Sequence, residues 1–164
     1  MFICSFADLD DKYKWSKEFL ENTEYGHKIR HELYENIIFP VLRNGYDNND
    51  PWSLYWLAKT IRNVYGSERM MSLIDNKSDF ALMKEYYKLT KSDEICLELL
   101  SRTMSSIGYT MHEWPIGIVM GHLESLDELL NKIEYARTLD LGNKYTESLR
   151  ETEKIVYSEK KRLA

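Results

Sequence analysis

Residues 44–66, "NGYDNNDPWSLYWLAKTIRNVYG", show one helix with both of its ends marked. Asp50 has the short acceptor side chain of an N-cap. Pro51 suits the first helical position, where its missing N–H costs nothing. Gly66 stands where a left-handed residue would end the helix. Between them Trp52, Tyr55, Trp56, Leu57, Ile61, Val64 and Tyr65 supply an aromatic-rich apolar face. Trp52 and Trp56 share that face. They would serve as binding anchors if exposed, but aromatics at helical spacing most often pack inward, and core is the reading taken.

The same punctuation continues toward the N-terminus. Gly45 ends a preceding helix that starts at a Thr23 cap, and Tyr25, Ile29, Leu33, Ile37 and Val41 step along it by four. Tyr34, Ile38 and Leu42 run beside that stripe, so the later half of the helix is apolar over a broad arc and should lie between neighbours. Pro40 falls inside the pattern and should kink or shorten it. Asp8 or Asp10 caps a first helix through about Glu21, with Leu9, Tyr13 and Phe19 or Leu20 inward.

Toward the C-terminus, Ser67 caps a short helix ending near Ile74, and Ser78 or Asp79 opens another to about Leu89. Ser92 opens one that Gly108 ends, burying Ile95, Leu99 or Leu100, Met104 and Ile107 with Cys96 alongside. In "YTMHEWPIGIVMGHL", Pro115 can begin a helix that Gly117 and Gly121 weaken. Ser125 then caps a helix with Leu126, Leu129, Leu130, Ile133 and Ala136 inward, broken at Gly142-Asn143. Tyr145, Leu149, Thr152, Val156 and Leu163 draw a narrow stripe on the last helix. The stripe is read as a capping hairpin face, with a homodimer seam through Tyr145, Leu149 and Val156 as the alternative. No repeat period emerges. The expectation is an all-α chain of about 6–8 helices, an irregular bundle or short hairpin stack, forming one domain over 1–164.

Composition agrees with that class. Of 164 residues, 43% are hydrophobic and 30% charged, far from a disordered chain, and only three Pro and seven Gly interrupt the helices. Aromatic content of 13%, with twelve Tyr, implies a core of large side chains or a surface built for contact. The net charge is −5, and residues 1–50 carry ten acids against six bases. Such a chain lacks the basic stripe that phosphate-backbone binding needs, and suits a basic protein partner better. Cys4 and Cys96 form no disulfide framework and no C-x-x-C pair. With no signal-peptide pattern and no apolar run long enough for a bilayer, the expected location is cytoplasmic.

The one candidate metal pattern is "HKIRHE", residues 27–32. The zinc-protease motif places Glu directly after its first His as general base, whereas Lys28 follows His27 here. His27 and His31 could still supply two ligands of a metal-dependent helical enzyme, with Glu32, Glu35, His112 or His122 as thirds. Helical rotation instead sets both at the border of the apolar arc, near Tyr34 and Ile38, half-buried. They are read as flanking residues, with no metal and no cofactor expected. No nucleophile elbow, phosphate loop or dinucleotide fingerprint occurs.

In overall character the chain resembles the small acidic immunity and antitoxin proteins of bacteria, a likeness of class and not of motif. It implies an inhibitor that neutralises a basic toxin, such as a nuclease, by covering its active site. The expected contact residues are Asp10, Asp11, Glu18 and Glu21 on the first helix, with Asp47 and Asn48 in the loop just before Asp50. A homo-oligomeric helical scaffold is the remaining alternative.

Overall fold

The computed structural model describes residues 8–22, 29–113 and 123–163. Among these the protein is all-helical, with no strand. The chain forms two compact units, Met1–Lys91 and Ser92–Ala164.

The first unit contains α1 (Leu9–Asn22), α2 (His31–Leu33), α3 (Phe39–Asp47), α4 (Pro51–Thr60), α5 (Glu68–Ser72) and α6 (Asp79–Thr90). Asp8 starts α1 by accepting from the Asp11 N–H at 2.9 Å. Ser16 and Leu20 define its inward side. Leu9 and Tyr13, expected inside, share the side of Ser16 and Leu20 but lie toward the N-terminal end of the helix, where they are 40% exposed. Thr23, Tyr25 and His27 lie outside the described residues.

Pro40 does not end its helix. Residues Tyr34–Ile38 form a π-helical turn joining α2 to α3, closed by the Phe39 N–H on the Tyr34 carbonyl. A proline ring normally collides with the carbonyl four residues back, and the wider turn just before it changes that register. The helix then continues past Gly45 to Asp47, contrary to expectation. Both predicted stripes are buried together: Tyr34, Ile37, Ile38, Val41 and Leu42 are at most 3% exposed.

Gly45 has another task. A Cβ there would stand 1.9 Å from Ser53 Oγ and 2.5 Å from Ser53 Cβ. Only a residue without a side chain lets α3 approach the start of α4 so closely. Asp50 caps α4 as expected, accepting from Ser53 N–H at 2.9 Å and Ser53 Oγ–H at 2.7 Å. Leu54 and Leu57 are buried, each stabilising by about 1.5–3 kcal/mol. Helix α4 packs on both α3 and α6. Gly66 does not supply a left-handed cap. The chain tightens into a 3-10 turn at Ile61–Asn63, which satisfies the last carbonyls instead.

The second unit contains α7 (Asp93–Glu113), α8 (Leu123–Leu139) and α9 (Thr146–Leu163), with α8 packed against both others. Gly108 does not stop α7, because the inward series continues through Ile107 and Thr110. Residues 114–122, with Pro115, Gly117 and Gly121, lie outside the described residues. Ser125 is inside α8 and not its cap. Asn143, at φ 53°, makes the left-handed break after α8. Asp140, only 7% exposed, closes the connection by accepting from the N–H groups of Lys144 at 2.9 Å and Tyr145 at 2.7 Å. Leu149 and Val156 are completely buried within this unit. The α9 stripe is therefore a capping face; an external seam through these two residues would require opening the hairpin.

Candidate partner-binding surfaces

Helix α1 displays four of the six expected contact residues. Taking Asp10 as zero, helical rotation puts Glu21, Glu18 and Asp11 at about 20°, 80° and 100°, with Ser16 and Leu20 near 240° and 280°. All four acids are exposed, on the side away from the buried residues. Lys14 falls inside the same arc at about 40°, so the face is acidic by a margin and not uniformly. At its border Trp15 and Phe19 stack with ring centres 4.8 Å apart, lining a shallow depression with Glu18 and Asn22. Glu21 also accepts from Trp52 Nε1–H at 3.2 Å, while Tyr13 sits 5.4 Å from the Trp52 ring. Trp52 is thus half-buried against α1, and Trp56, at 5% exposure, belongs to the core.

The loop after α3 is occupied with its own structure. Asp47 pairs with Arg43, and Asn48 donates from its amide to the Asn44 carbonyl at 2.8 Å. Asn49 adopts φ 54°, and Asp50 caps α4. Local bonding accounts for each of these side chains or conformations, and the loop adds little to the α1 face.

His31 is exposed where half-burial was expected. Its Nε2 lies 3.2 Å from Glu35 Oε2, and the other Glu35 oxygen accepts from Arg69 at 2.8 Å. A carboxylate shared in this way is a surface ion-pair hub. His27 and His122 lie outside the described residues. Among those described, no group of three or more His, Cys, Asp or Glu is placed to hold a metal.

A polar cluster unsuspected from the sequence joins α3 to the turn before α6. Tyr46 donates its hydroxyl to Asp75 Oδ2 at 2.5 Å, Lys77 bonds Glu85 at 2.8 Å, and Lys77 stands 4.8 Å over the Tyr46 ring. Burial, then the bond to Asp75, raises the Tyr46 hydroxyl above its usual value. That same bond lowers the Asp75 carboxyl. Burial opposes charge on Lys77, but its bonds to Glu85 and Tyr46 outweigh it and hold the amine at about 12. A lysine kept protonated and a tyrosine kept neutral are poor bases and poor nucleophiles. The cluster instead fastens a turn in which Asp75 and Asn76 both adopt left-handed backbone conformations.

In the second unit, the start of α7 and the α8–α9 connection enclose a groove of about 550 Å³. Cys96, Leu100 and Leu139 line it as buried residues, with Cys96 Sγ 3.4 Å from the Leu139 carbonyl. Leu97 and Leu141 border it 66% and 74% exposed, and Asp93 and Lys144 add one charge of each sign. Sequence reading missed this groove, although two exposed leucines flanking a helix start and a turn were its one available signal.

Among the described residues, no helix is long and apolar enough to cross a membrane. Compared with protein-family models, with curated proteins and with solved structures, the chain matches none.

Proposed function

We propose that this protein is a binding module of the immunity or antitoxin kind, working in the cytoplasm to neutralise a basic protein partner by covering its active site. A nuclease toxin has the required chemistry, since a site built to hold phosphate is rich in Lys and Arg. The observation that carries this reading is the outward arc of α1. Asp10, Asp11, Glu18 and Glu21 share one exposed side, bordered by the stacked Trp15 and Phe19. Acids in this arrangement raise the encounter rate with a basic surface and orient docking, while aromatic area beside them holds the complex once formed. Asp47 and Asn48, already engaged at the end of α3, take a lesser part.

The test begins with native mass spectrometry of the protein isolated gently from its own cells, followed by stopped-flow association with the partner that spectrum reveals. A basic partner in stoichiometric amount is expected. Reversal of Asp10, Asp11 and Glu18 to Lys should slow association on the order of tenfold at low salt and flatten its salt dependence. An unchanged on-rate would remove α1 from the interface. A stoichiometric metal ion in the same spectrum would move the inquiry to His27 and His31.

A further inference from the structure

We infer that the groove between the start of α7 and the α8–α9 connection docks a second copy of this chain in a two-fold arrangement. The proposal stands apart from the α1 face and does not depend on it.

Two features select a second copy as occupant. The first is shape. The groove has apolar depth at Cys96, Leu100 and Leu139, and immediately beside it stand two large side chains with little to cover them, Leu97 and Leu141. Hollow and projection are neighbours on one surface. A two-fold axis between them lets each chain insert its leucines into the other's hollow, which is the self-complementarity that such an interface requires. The second feature is charge. The polar edge carries Asp93 from α7 and Lys144 from the connection, both exposed. Asp140 also lines the groove, but its carboxylate is held by two backbone N–H groups. A strongly basic partner would meet Lys144, and a strongly acidic one Asp93. A two-fold copy instead sets Asp93 of each chain toward Lys144 of the other, satisfying both charges twice.

Eleven residues line the groove, fewer than the roughly 20–30 a side of a standard interface, which places self-association in the weak class. Tyr145 lines it, so one of the three residues expected at a homodimer seam has a place here. Leu149 and Val156 remain inside the unit.

Sedimentation equilibrium of the full chain, from micromolar up to about 1 mM, tests the proposal at concentrations where a weak interface fills. The wild type should show a reversible monomer–dimer equilibrium. Leu141→Asp, on an exposed turn, should weaken it at least tenfold while helical circular dichroism stays unchanged. Asp93→Lys and Lys144→Asp should each weaken it alone. An equimolar mixture of those two variants should recover a heterodimer, because one chain then offers two cations and the other two acids. Recovery on mixing is specific to a two-fold pairing of these positions and would not follow from misfolding of either variant. A wild type monomeric throughout overturns the proposal, as do variants that associate like wild type or singly weakened variants that fail to recover on mixing.

Discussion

The Tyr34 hydroxyl donates to Thr60 Oγ1 at 2.8 Å inside the first unit, and Thr60 passes its own proton to the Trp56 carbonyl at 2.6 Å. Thr60 has one hydroxyl proton, so the direction of the pair is determined: tyrosine gives and threonine receives. The chain ties the π turn to the last residues of α4 at two fully or nearly buried side chains.

Burial raises the Tyr34 hydroxyl well above the usual tyrosine range, with the Thr60 bond opposing only part of that shift. The folded protein therefore keeps a proton that the unfolded chain releases above about pH 10. Its contribution to stability is complete below that pH and falls as pH rises, by up to about 1.4 kcal/mol per pH unit. Tyr34→Phe should lower stability near neutrality by about 1 kcal/mol. Urea unfolding at increasing alkaline pH should then show the gap between wild type and variant closing. A gap that stays constant would mean the hydroxyl is not buried as described.

Gly45 and Ser53 make the second prediction. Gly45→Ala would gain up to about 1 kcal/mol of helix propensity, but its methyl group would overlap Ser53. Overpacking of this kind costs about 1–3 kcal/mol, so the variant should be net destabilised in urea melts. Adding Ser53→Ala should give little rescue, because the Ser53 Cβ is itself in the way. Adding Ser53→Gly should restore more of the loss that Gly45→Ala causes in the wild-type background.

Arg137 on α8 grips Glu153 on α9 with two parallel bonds, at 3.0 and 2.7 Å. Those bonds lower the Glu153 carboxyl below its ordinary 4.5. The sign is that of a depressed acid: the contribution is present above 4.5 and disappears as pH falls through the lower folded value. Glu153→Gln should cost about 0.5–1 kcal/mol at neutral pH, the range for a partly exposed pair. The difference from wild type should shrink in melts taken at progressively acid pH. Equal loss at every pH would assign the effect to packing instead.

Leu149→Asp and Leu141→Asp should behave as opposites. Leu149 is fully buried and Leu141 is 74% exposed. An unpaired carboxylate at position 149 should cost about 4 kcal/mol or more and diminish the helical signal of the second unit. The Leu141 variant should melt like wild type and reveal itself only in the dimer equilibrium. Amide exchange through α8 and α9 distinguishes the two.

Much of the helical order was legible in the residues themselves. Asp50 with Pro51, Ser67 and Ser78 mark helix starts because capping is settled within one turn, by an oxygen three residues from its N–H donor. The paired stripes through Ile37, Val41, Ile38 and Leu42 named the core of α3 because burial follows a helical period. The α1 arc was readable for the same reason.

Glycine and proline were read less well. Gly45, Gly66 and Gly108 each predict a helix stop, yet two lie inside helices and the third is not left-handed. Their residue type permits a left-handed turn without requiring one; a neighbour in space, Ser53 for Gly45, decides its use. Pro40 predicts a kinked or shortened helix, and the π turn that lets the helix run on through it accompanies the burial of Tyr34 and Ile38, which no local signal records.

The division is one of distance along the chain. Sequence alone determined the helical class, most helix starts, and which sides of α1, α3 and α9 face inward, because those depend on residues within about two turns of each other. Tertiary structure alone decided that Tyr46, Asp75 and Lys77 form one cluster, and that Cys96 and Leu139, 43 residues apart, meet beside one groove. Such meetings depend on how helices pack, and no periodicity within a single helix records them.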